Sequence, residues 1–373
     1  MQTTEAAARR HFRSKVDSIR PTYGFDDVSL APGTETVEPN DVSLEQDFAG
    51  IPLRIPVLAA LGGLAVLNLE GVQARYDDPD PVLERIATAP DAEIQAVLAE
   101  AYAAPIRDDL IARRIAEIHA AGSKAAVSAT PGAARRFGPF CAEQGADLFL
   151  VQSQVSSARH LASKYEPLSL AEFTRLMPIP VAVGNTTNAE AAFAVMEQGA
   201  AAVFVGVGPG AACTTREVLG IGVPQVTAVS DVAAARDASF AETGRWVPVV
   251  ADGGMKKGGD IAKAIAAGAD AVMLGSPLAR AVEAPGRGTN WGMAAPSPVL
   301  PRGTRIRVGT IGTMERILFG PSNVTDGTEN LMGALRQSMA ALGARTIREM
   351  QGVEIVYAPS VATEGKSWQL RGR

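Results

Sequence analysis

The sequence is poor in the residues that build disulfides and metal centres. Among its 373 residues are two cysteines, Cys141 and Cys213, and three histidines. Two thiols cannot form the disulfide framework of a small secreted domain. The histidines, His11, His119 and His160, are scattered without the spacing of zinc ligands. We therefore expect no histidine-based metal site.

Long apolar runs are also missing. The longest, such as residues 200–207, have the length of a strand, whereas a membrane-spanning helix needs about 20 residues. No basic and apolar leader precedes a small-residue cleavage site, which predicts a cytoplasmic protein without a membrane partner. A net charge of −5 provides no field that attracts nucleic acid. We therefore expect a small-molecule ligand.

Short β-branched runs alternate with alanine-rich amphipathic stretches, which is typical of a parallel α/β sheet. The predicted strands are Ile55–Ala60, Leu64–Leu67, Ala125–Ala129, Leu148–Gln152, Val181–Gly184, Ala202–Val207, Val247–Ala251 and Ala271–Leu274. The predicted helices are Asp108–Ala121, Ala134–Gln144, Leu170–Leu176, Ala189–Gln198, Val226–Glu242 and Asp260–Ala267. Eight strands favour a closed (β/α)8 TIM barrel over an open sheet, in a single domain over residues 1–373.

The chain between the first two strands breaks this pattern. Residues 55–60 run directly into residues 61–67, and a crossover between parallel strands needs roughly a dozen residues. Either the chain lacks a segment at the Ala60–Leu61 junction or the protein is naturally shortened there, with an incomplete barrel wall. Outside the barrel, residues 1–20 are predicted to form an arm. The Pro- and Gly-rich residues 284–303 predict an active-site lid, with a disordered tether as the alternative.

Two places at strand ends carry candidate chemistry. Cys213 follows the glycine-rich run Gly206–Gly210 after an apolar strand, and loop N–H groups there favour a thiolate. A cysteine taken alone is more often a packing residue, as we expect for Cys141, but these surroundings favour a reactive thiol. Asp252-Gly253-Gly254 and Gly275-Ser276 follow strands seven and eight, where barrels form phosphate sites. The alternative is that these glycines only make tight turns.

Long motifs resemble one family. GVGPGAACTTREVLGIGVPQ and VADGGMKKGGDIAKAIAAGADAVMLGSPLA are similar to segments of the IMP dehydrogenase and GMP reductase superfamily. QSQVSSARH, NWGMAAP and YAPSVATEGKSWQ resemble most the short bacterial dehydrogenase-related class, which lacks the regulatory CBS domain. The resemblance implies NAD-dependent oxidation of inosine monophosphate (IMP) to xanthosine monophosphate (XMP) through a cysteine thioimidate.

The resemblance also implies roles for individual residues. Cys213 is the implied nucleophile, and Thr215 lies near the hydrolytic water. The implied substrate-binding residues are Asp252, Gly253, Gly254, Gly275, Ser276, Trp291, Gly292 and Met293. The implied NAD-binding residues are Gln152, Ser153, Gly184 and Asn185. The implied potassium ligands are the carbonyls of Gly208, Gly210 and Cys213, completed by Glu364-Gly365 of a neighbouring subunit in a homotetramer or larger homo-oligomer. An ordinary solvated tail is the alternative for Glu364-Gly365.

The chain departs from the family at several positions. Gln152 replaces an aspartate that recognises the cofactor ribose, and Ala211 replaces a phosphate-binding serine. The lid lacks the Arg-Tyr or Arg-Phe pair that supplies the hydrolytic base, and Arg302-Gly303 replaces Gln-Gly or Glu-Gly. Arg302 disfavours the main alternative, an NADPH-dependent GMP reductase, because that enzyme needs a carboxylate there. The other alternative is a purine-nucleotide-binding regulatory protein without turnover.

Overall fold

The computed structural model describes residues 19–58, 63–292 and 305–359. Its strands are Val28–Leu30 (β1), Gln46–Phe48 (β2), Ile51–Leu53 (β3), Val57–Leu58 (β4), Val66–Asn68 (β5), Ala126–Ala129 (β6), Leu148–Gln152 (β7), Val181–Thr186 (β8), Ala202–Val205 (β9), Val249–Asp252 (β10), Ala271–Met273 (β11), Thr289–Trp291 (β12), Arg305–Arg307 (β13) and Ile355–Tyr357 (β14). Its helices are Asp80–Thr88 (α1), Ile94–Ala101 (α2), Asp108–Ala120 (α3), Pro131–Glu143 (α4), Leu170–Leu176 (α5), Ala189–Glu197 (α6), Thr215–Leu219 (α7), Gln225–Thr243 (α8), Gly258–Ala266 (α9), Ser276–Ala279 (α10), Met314–Phe319 (α11), Leu331–Ala341 (α12) and Ile347–Met350 (α13).

Eight parallel strands form the central sheet, in the order β4-β11-β10-β9-β8-β7-β6-β5. The two ends meet through a parallel bridge between Leu58 and Leu64, where the Leu64 N–H donates to the Val57 carbonyl at 3.2 Å. The predicted (β/α)8 barrel is therefore confirmed. In the described residues this seam holds a single bridge, whereas β6 and β7 pair over four residues. Residues 59–62, with the Ala60–Leu61 junction, lie outside the described part of the chain.

Alternate residues of each strand face two different cores, as the period of a strand requires. In β7, Leu148 and Leu150 pack inside the barrel, whereas Phe149 and Val151 pack under the helices. The hairpin of β2 and β3 adds Phe48, Ile51 and Leu53 to the interior core. The Gln46 side chain donates to the carbonyl of Asp270, the residue before β11. The hairpin therefore plugs the amino-terminal end of the barrel.

The six predicted helices correspond to α3, α4, α5, α6, α8 and α9, each to within one turn at its ends. Helices α1 and α2 were not predicted. They lie in a proline-containing stretch whose sequence is typical of a loop. Pro81 is nevertheless compatible with α1, because it falls in the first turn, where the N–H that proline lacks has no intrahelical partner. Together they form a separate apolar cluster around Leu83, Ile86 and Leu98. This pair of helices stands outside the barrel wall and, as described below, contacts β12 and β13.

A buried ion pair stabilises the amino-terminal end of the barrel. Arg236 of α8 donates to the Asp270 carboxylate at 2.8 Å, and their side chains are 3% and 8% exposed. Asp270 also accepts from the Val249 N–H at 2.8 Å and the Trp246 indole at 3.2 Å. Arg236 makes a second ion pair, with Asp237, whose side chain is 59% exposed. One guanidinium thus has a buried and an exposed partner.

We expect Asp270→Asn to lower the free energy of unfolding by about 3 kcal/mol or more, because it removes the buried counter-charge of the Arg236 guanidinium. Asp237→Asn removes the same charge from the exposed partner and should cost less than about 1 kcal/mol. Urea unfolding of both variants measures the difference. Equal losses would show that burial does not determine the strength of this pair.

Candidate active site

The carboxyl ends of the parallel strands bring the candidate residues to one rim. Gln152 at the end of β7 pairs with Gly184 in β8, and Asp252 ends β10 beside β9 and β11. The cysteine loop follows β9, and Gly275 follows β11. The residues predicted from separate stretches of sequence therefore share one face, as expected for a TIM barrel.

Asp252 and Asn185 form the polar centre of this rim. The Asn185 side-chain amide donates to Asp252 Oδ2 and to the Gly206 carbonyl, both at 2.8 Å. Burial raises the pKa of Asp252 to about 6, against the opposing effect of the Asn185 hydrogen bond. Gly206 has φ +145°, and a Cβ there would lie 2.2 Å from the Asp252 carbonyl oxygen. The strand end thus requires glycine at this position because the backbones approach so closely.

Cys213 is exposed, and its sulfur lies 3.1 Å from the hydroxyl of Thr215. Thr215 begins α7 and is 2% exposed. The side-chain amide of Gln154 donates to the same hydroxyl at 2.6 Å. The Cys213 N–H donates to the Gly210 carbonyl at 3.0 Å, closing the turn that presents the thiol. The other cysteine, Cys141, is fully buried, which raises its pKa to about 12 and confirms its place in the core.

Gly253 and Gly254 pack against the cysteine loop. Both have left-handed backbones, with φ +88° and +87°. A Cβ on Gly253 would lie 3.1 Å from the Gly210 backbone nitrogen, and one on Gly254 would lie 3.2 Å from Pro209 Cβ. The two glycines therefore make a tight turn and also let this turn contact the loop that carries Cys213.

A two-stranded ribbon follows α10 in the chain. β12 and β13 pair antiparallel, so that Trp291 lies opposite Arg305. Asn290 donates to the Ser276 hydroxyl at 3.0 Å, which ties the ribbon to the loop after β11. The Trp291 indole donates to the Tyr102 hydroxyl at 3.0 Å and packs against the α1–α2 cluster. Gly292 follows Trp291, whereas Met293 and Arg302 lie outside the described residues.

Arg305 joins the ribbon to α1. Its guanidinium is fully buried, donates to the Ile86 carbonyl at 2.7 Å and pairs with Asp91. A cation at the carboxyl end of a helix is favourable, because the last carbonyls there lack intrahelical partners. The helices missed by the sequence prediction thus anchor β13 of the ribbon.

The residues assigned to the cofactor lie beside Asp252. The Gln152 amide donates to Asn185 Oδ1 at 3.4 Å, and the Ser153 N–H donates to the Gly184 carbonyl at 2.8 Å. Gly184 also has a packing role, because a Cβ there would lie 2.4 Å from Phe204 Cβ. The side chains of Gln152, Ser153 and Asn185 offer amides and a hydroxyl. This set fits the carboxamide and ribose hydroxyls of a nicotinamide nucleotide.

Within residues 19–58, 63–292 and 305–359, no cluster of three or more histidine, cysteine, aspartate or glutamate side chains could hold a metal ion. The same ranges contain no helix long and apolar enough to cross a membrane. Of the implied potassium ligands, Gly208, Gly210 and Cys213 share one loop, and Glu364-Gly365 lie outside the described residues.

Two residues of the site were missed from the sequence. Gln154 has no signal of its own, being one amide in a polar loop, and its proximity to Thr215 emerges only when β7 and α7 meet at the rim. Gln225 at the start of α8 is buried and donates to the Val205 carbonyl at 2.7 Å, beneath Asp252. The sequence feature that could have identified Gln225 as a site residue is its position in the first turn of a helix that faces the barrel.

Fold and site together define a TIM-barrel protein with an exposed thiol beside glycine turns at its carboxyl rim. Residues 117–293 match the family model of the IMP dehydrogenase / GMP reductase domain. An uncharacterised oxidoreductase of Mycolicibacterium smegmatis is 39% identical over 90% of this chain and 96% of its own length. One from Mycobacterium tuberculosis is 40% identical over 90% of this chain and 96% of its own length.

A crystal structure of an IMP dehydrogenase/GMP reductase-like protein from Corynebacterium glutamicum is 34% identical to this chain. It superposes with a TM-score of 0.85 over 91% of this chain and 95% of that one. The IMP dehydrogenase of Haemophilus influenzae is 36% identical, over 56% of this chain and 44% of its own length. The chain therefore belongs to the IMP dehydrogenase/GMP reductase family and is an oxidoreductase.

Proposed function

We propose that the protein oxidises IMP to XMP with NAD⁺. The observation that carries the proposal is the grouping of the Cys213 thiol, the Thr215 hydroxyl and the Asp252 carboxylate at one barrel rim, within a family of oxidoreductases. The thiol is accessible and the carboxylate is partly buried, which suits a covalent step beside a bound sugar.

The substrate half of the site is proposed from the glycine turns. Asp252 would accept hydrogen bonds from the ribose hydroxyls, and the amides of Gly254, Gly275 and Ser276 would hold the phosphate. Gly253 allows this turn to contact the loop that carries Cys213. Trp291, Gly292 and Met293 are proposed to lie beside the nucleotide, on the ribbon that Asn290 ties to Ser276.

In the chemical step, the thiolate of Cys213 forms a bond to C2 of the purine, and the hydride on C2 departs. The residues that would hold NAD⁺ are Gln152, Ser153, Gly184 and Asn185, and this cofactor would supply the acceptor for the hydride. Water then adds to C2, the carbon–sulfur bond breaks, and XMP leaves as the proton from water is released and the sulfur is regenerated. Splitting the oxidation into two covalent steps lowers each barrier. Thr215, whose hydroxyl contacts the sulfur, would orient groups at C2 in both steps.

A potassium ion is proposed at the carbonyls of Gly208, Gly210 and Cys213. Neutral carbonyl oxygens suit a hard cation, but they provide too few ligands by themselves. Glu364-Gly365 from a neighbouring subunit would complete the set, which makes a homotetramer or larger assembly part of the proposal.

Purified protein given IMP and NAD⁺ in potassium buffer should produce XMP and NADH in equal amounts, with a lower rate when lithium replaces potassium. GMP with NADPH should release no ammonia, since Arg302 replaces the carboxylate that a reductase needs. Ammonia release at a matching or higher rate would identify the reductase instead. Nucleotide binding without either reaction would identify a regulatory binding protein.

A further inference from the structure

We propose that Tyr102, at the end of α2, is a positioning residue that acts through Trp291 to hold Asn290 against Ser276. The inference rests on the proposed function and deepens it, because Ser276 belongs to the turn proposed to hold the phosphate. Two side-chain contacts of neighbouring residues in β12 carry it. The Trp291 indole donates to the Tyr102 hydroxyl at 3.0 Å, and the Asn290 amide donates to the Ser276 hydroxyl at 3.0 Å.

The side chains of Asn290 and Trp291 lie on opposite faces of β12, as expected for successive residues of a strand. Asn290 contacts Ser276, whereas Trp291 packs against the apolar cluster of α1 and α2. A Cβ on Gly275 would lie 3.6 Å from the amide nitrogen of Asn290, so this side chain lies over the turn formed by Gly275 and Ser276. Asn290 therefore touches the turn, and Trp291 anchors the strand from behind.

Tyr102 is itself fixed to the wall of the barrel. Arg75, in the segment after β5, donates to the Tyr102 carbonyl and to the Glu70 carbonyl, both at 3.1 Å. The guanidinium of Arg75 lies 5.6 Å from the centroid of the Tyr102 ring, which is the geometry of a cation–π contact. Tyr102 is 8% exposed. The hydroxyl that accepts from the indole therefore has a defined position relative to β5.

The hydroxyl of Tyr102 fixes the orientation of the indole. An indole N–H only donates, so the Tyr102 oxygen is the acceptor in this contact. The opposite strand is held separately, since Arg305 lies opposite Trp291 and donates to the Ile86 carbonyl at 2.7 Å. Loss of the hydroxyl should therefore loosen β12 and its contact with Ser276, while the ribbon stays folded.

The first test is hydrogen exchange of the ligand-free protein, measured by mass spectrometry of peptides that cover the turn and α10. The N–H groups of Leu278 and Ala279 donate to the Gly275 carbonyl at 3.1 and 2.9 Å, so their exchange requires the turn to open. We expect Tyr102→Phe to speed this exchange about threefold to tenfold, as the loss of one hydrogen bond implies. Trp291→Phe should do the same, and adding Tyr102→Phe to it should cause no further change.

Tyr76→Phe is the matched control. Tyr76 packs against the same apolar cluster, and its hydroxyl donates to the Ala101 carbonyl at 3.0 Å, one residue before Tyr102. The control removes a hydroxyl and one hydrogen bond from the same end of α2 and leaves the bond between Trp291 and Tyr102 in place. A purely structural role of Tyr102 predicts faster exchange in both variants. A positioning role predicts it in Tyr102→Phe alone.

The second test is calorimetric titration with IMP and with inosine, which lacks the phosphate. Tyr102→Phe should weaken the binding of IMP about threefold to tenfold and leave that of inosine unchanged, because the turn is proposed to hold the phosphate. Tyr76→Phe should change neither dissociation constant.

A wild-type exchange rate of the turn in Tyr102→Phe would overturn the inference, as would an equal effect of Tyr76→Phe. An equal loss of affinity for IMP and inosine would also overturn it, since the effect would then not act at the phosphate. Neither measurement needs turnover. A protein that shows the expected exchange but does not bind or oxidise IMP would contradict the proposed function alone. A protein that oxidises IMP and keeps the wild-type exchange would contradict this inference alone.

Discussion

Cys213→Ala is expected to abolish the oxidation of IMP, with a fall in kcat of at least about 10³-fold, because loss of the nucleophile removes the covalent route altogether. Nucleotide affinity should change little, since Asp252 and the glycine turns do not depend on the sulfur. NADH formation measures the first quantity, and calorimetric titration with IMP measures the second.

Cys141→Ala is the matched control for this loss. The thiol of Cys141 is buried, and its pKa of about 12 keeps it protonated and inert at neutral pH. Its removal should cost no more than about 1–2 kcal/mol of stability and leave kcat unchanged. Incubation of the wild-type protein with IMP and NAD⁺ should place a covalent adduct on Cys213 and none on Cys141. Turnover that persists in Cys213→Ala would exclude the proposed mechanism.

Asp252→Asn is expected to stabilise the protein while weakening nucleotide binding. Burial raises the pKa of this carboxyl to about 6, above its ordinary value. At pH values between these two pKa values, the folded state therefore binds more protons than the unfolded state. Stability due to this group is therefore present at low pH and is lost as the pH rises from about 4 through 6. The neutral amide avoids that loss, a gain of up to about 3 kcal/mol near neutral pH.

The same substitution should reduce IMP affinity by about 10-fold to 100-fold, since an amide accepts fewer hydrogen bonds from the ribose diol than a carboxylate. Urea unfolding between about pH 4 and 8 should show a stability difference that grows up to about pH 6 and then levels off. Asp26→Asn removes a charge from an exposed position and serves as the control. An unchanged Kd would remove Asp252 from the ribose site, and a stability loss at neutral pH would contradict the cost of its burial.

The barrel could be predicted because short apolar runs alternate with amphipathic stretches along the chain. Leu148–Gln152 is observed with the predicted bounds, and the positions of Gly206 and Gly253 mark strand ends where backbones meet. In a barrel of parallel strands, the carboxyl ends of all strands lie at the same rim. The grouping of Cys213, Asp252 and Asn185 could therefore be expected from the sequence order alone.

Contacts between distant side chains could not be predicted in this way. The two helices α1 and α2 were missed because prolines interrupt their hydrophobic pattern. The contacts by which they anchor Trp291 and Arg305 were therefore missed as well. The hydrogen bond from Gln154 to Thr215 depends on the conformations of two loops. Neither the periodicity nor the composition of the sequence predicts those conformations. The side-chain details of this site therefore come from packing.

The antiparallel pairing of β1 with β14 sets an order of events during synthesis. Val28 lies opposite Tyr357, and β4 pairs with β11, more than two hundred residues further along the chain. Both early strands pair with segments that are synthesised much later. Until then their backbone groups form unpaired edges, which favour association with other chains. Pairing between strands so distant in sequence leaves the early strands exposed for a long time, so slow completion of the barrel is the vulnerable stage in its biogenesis.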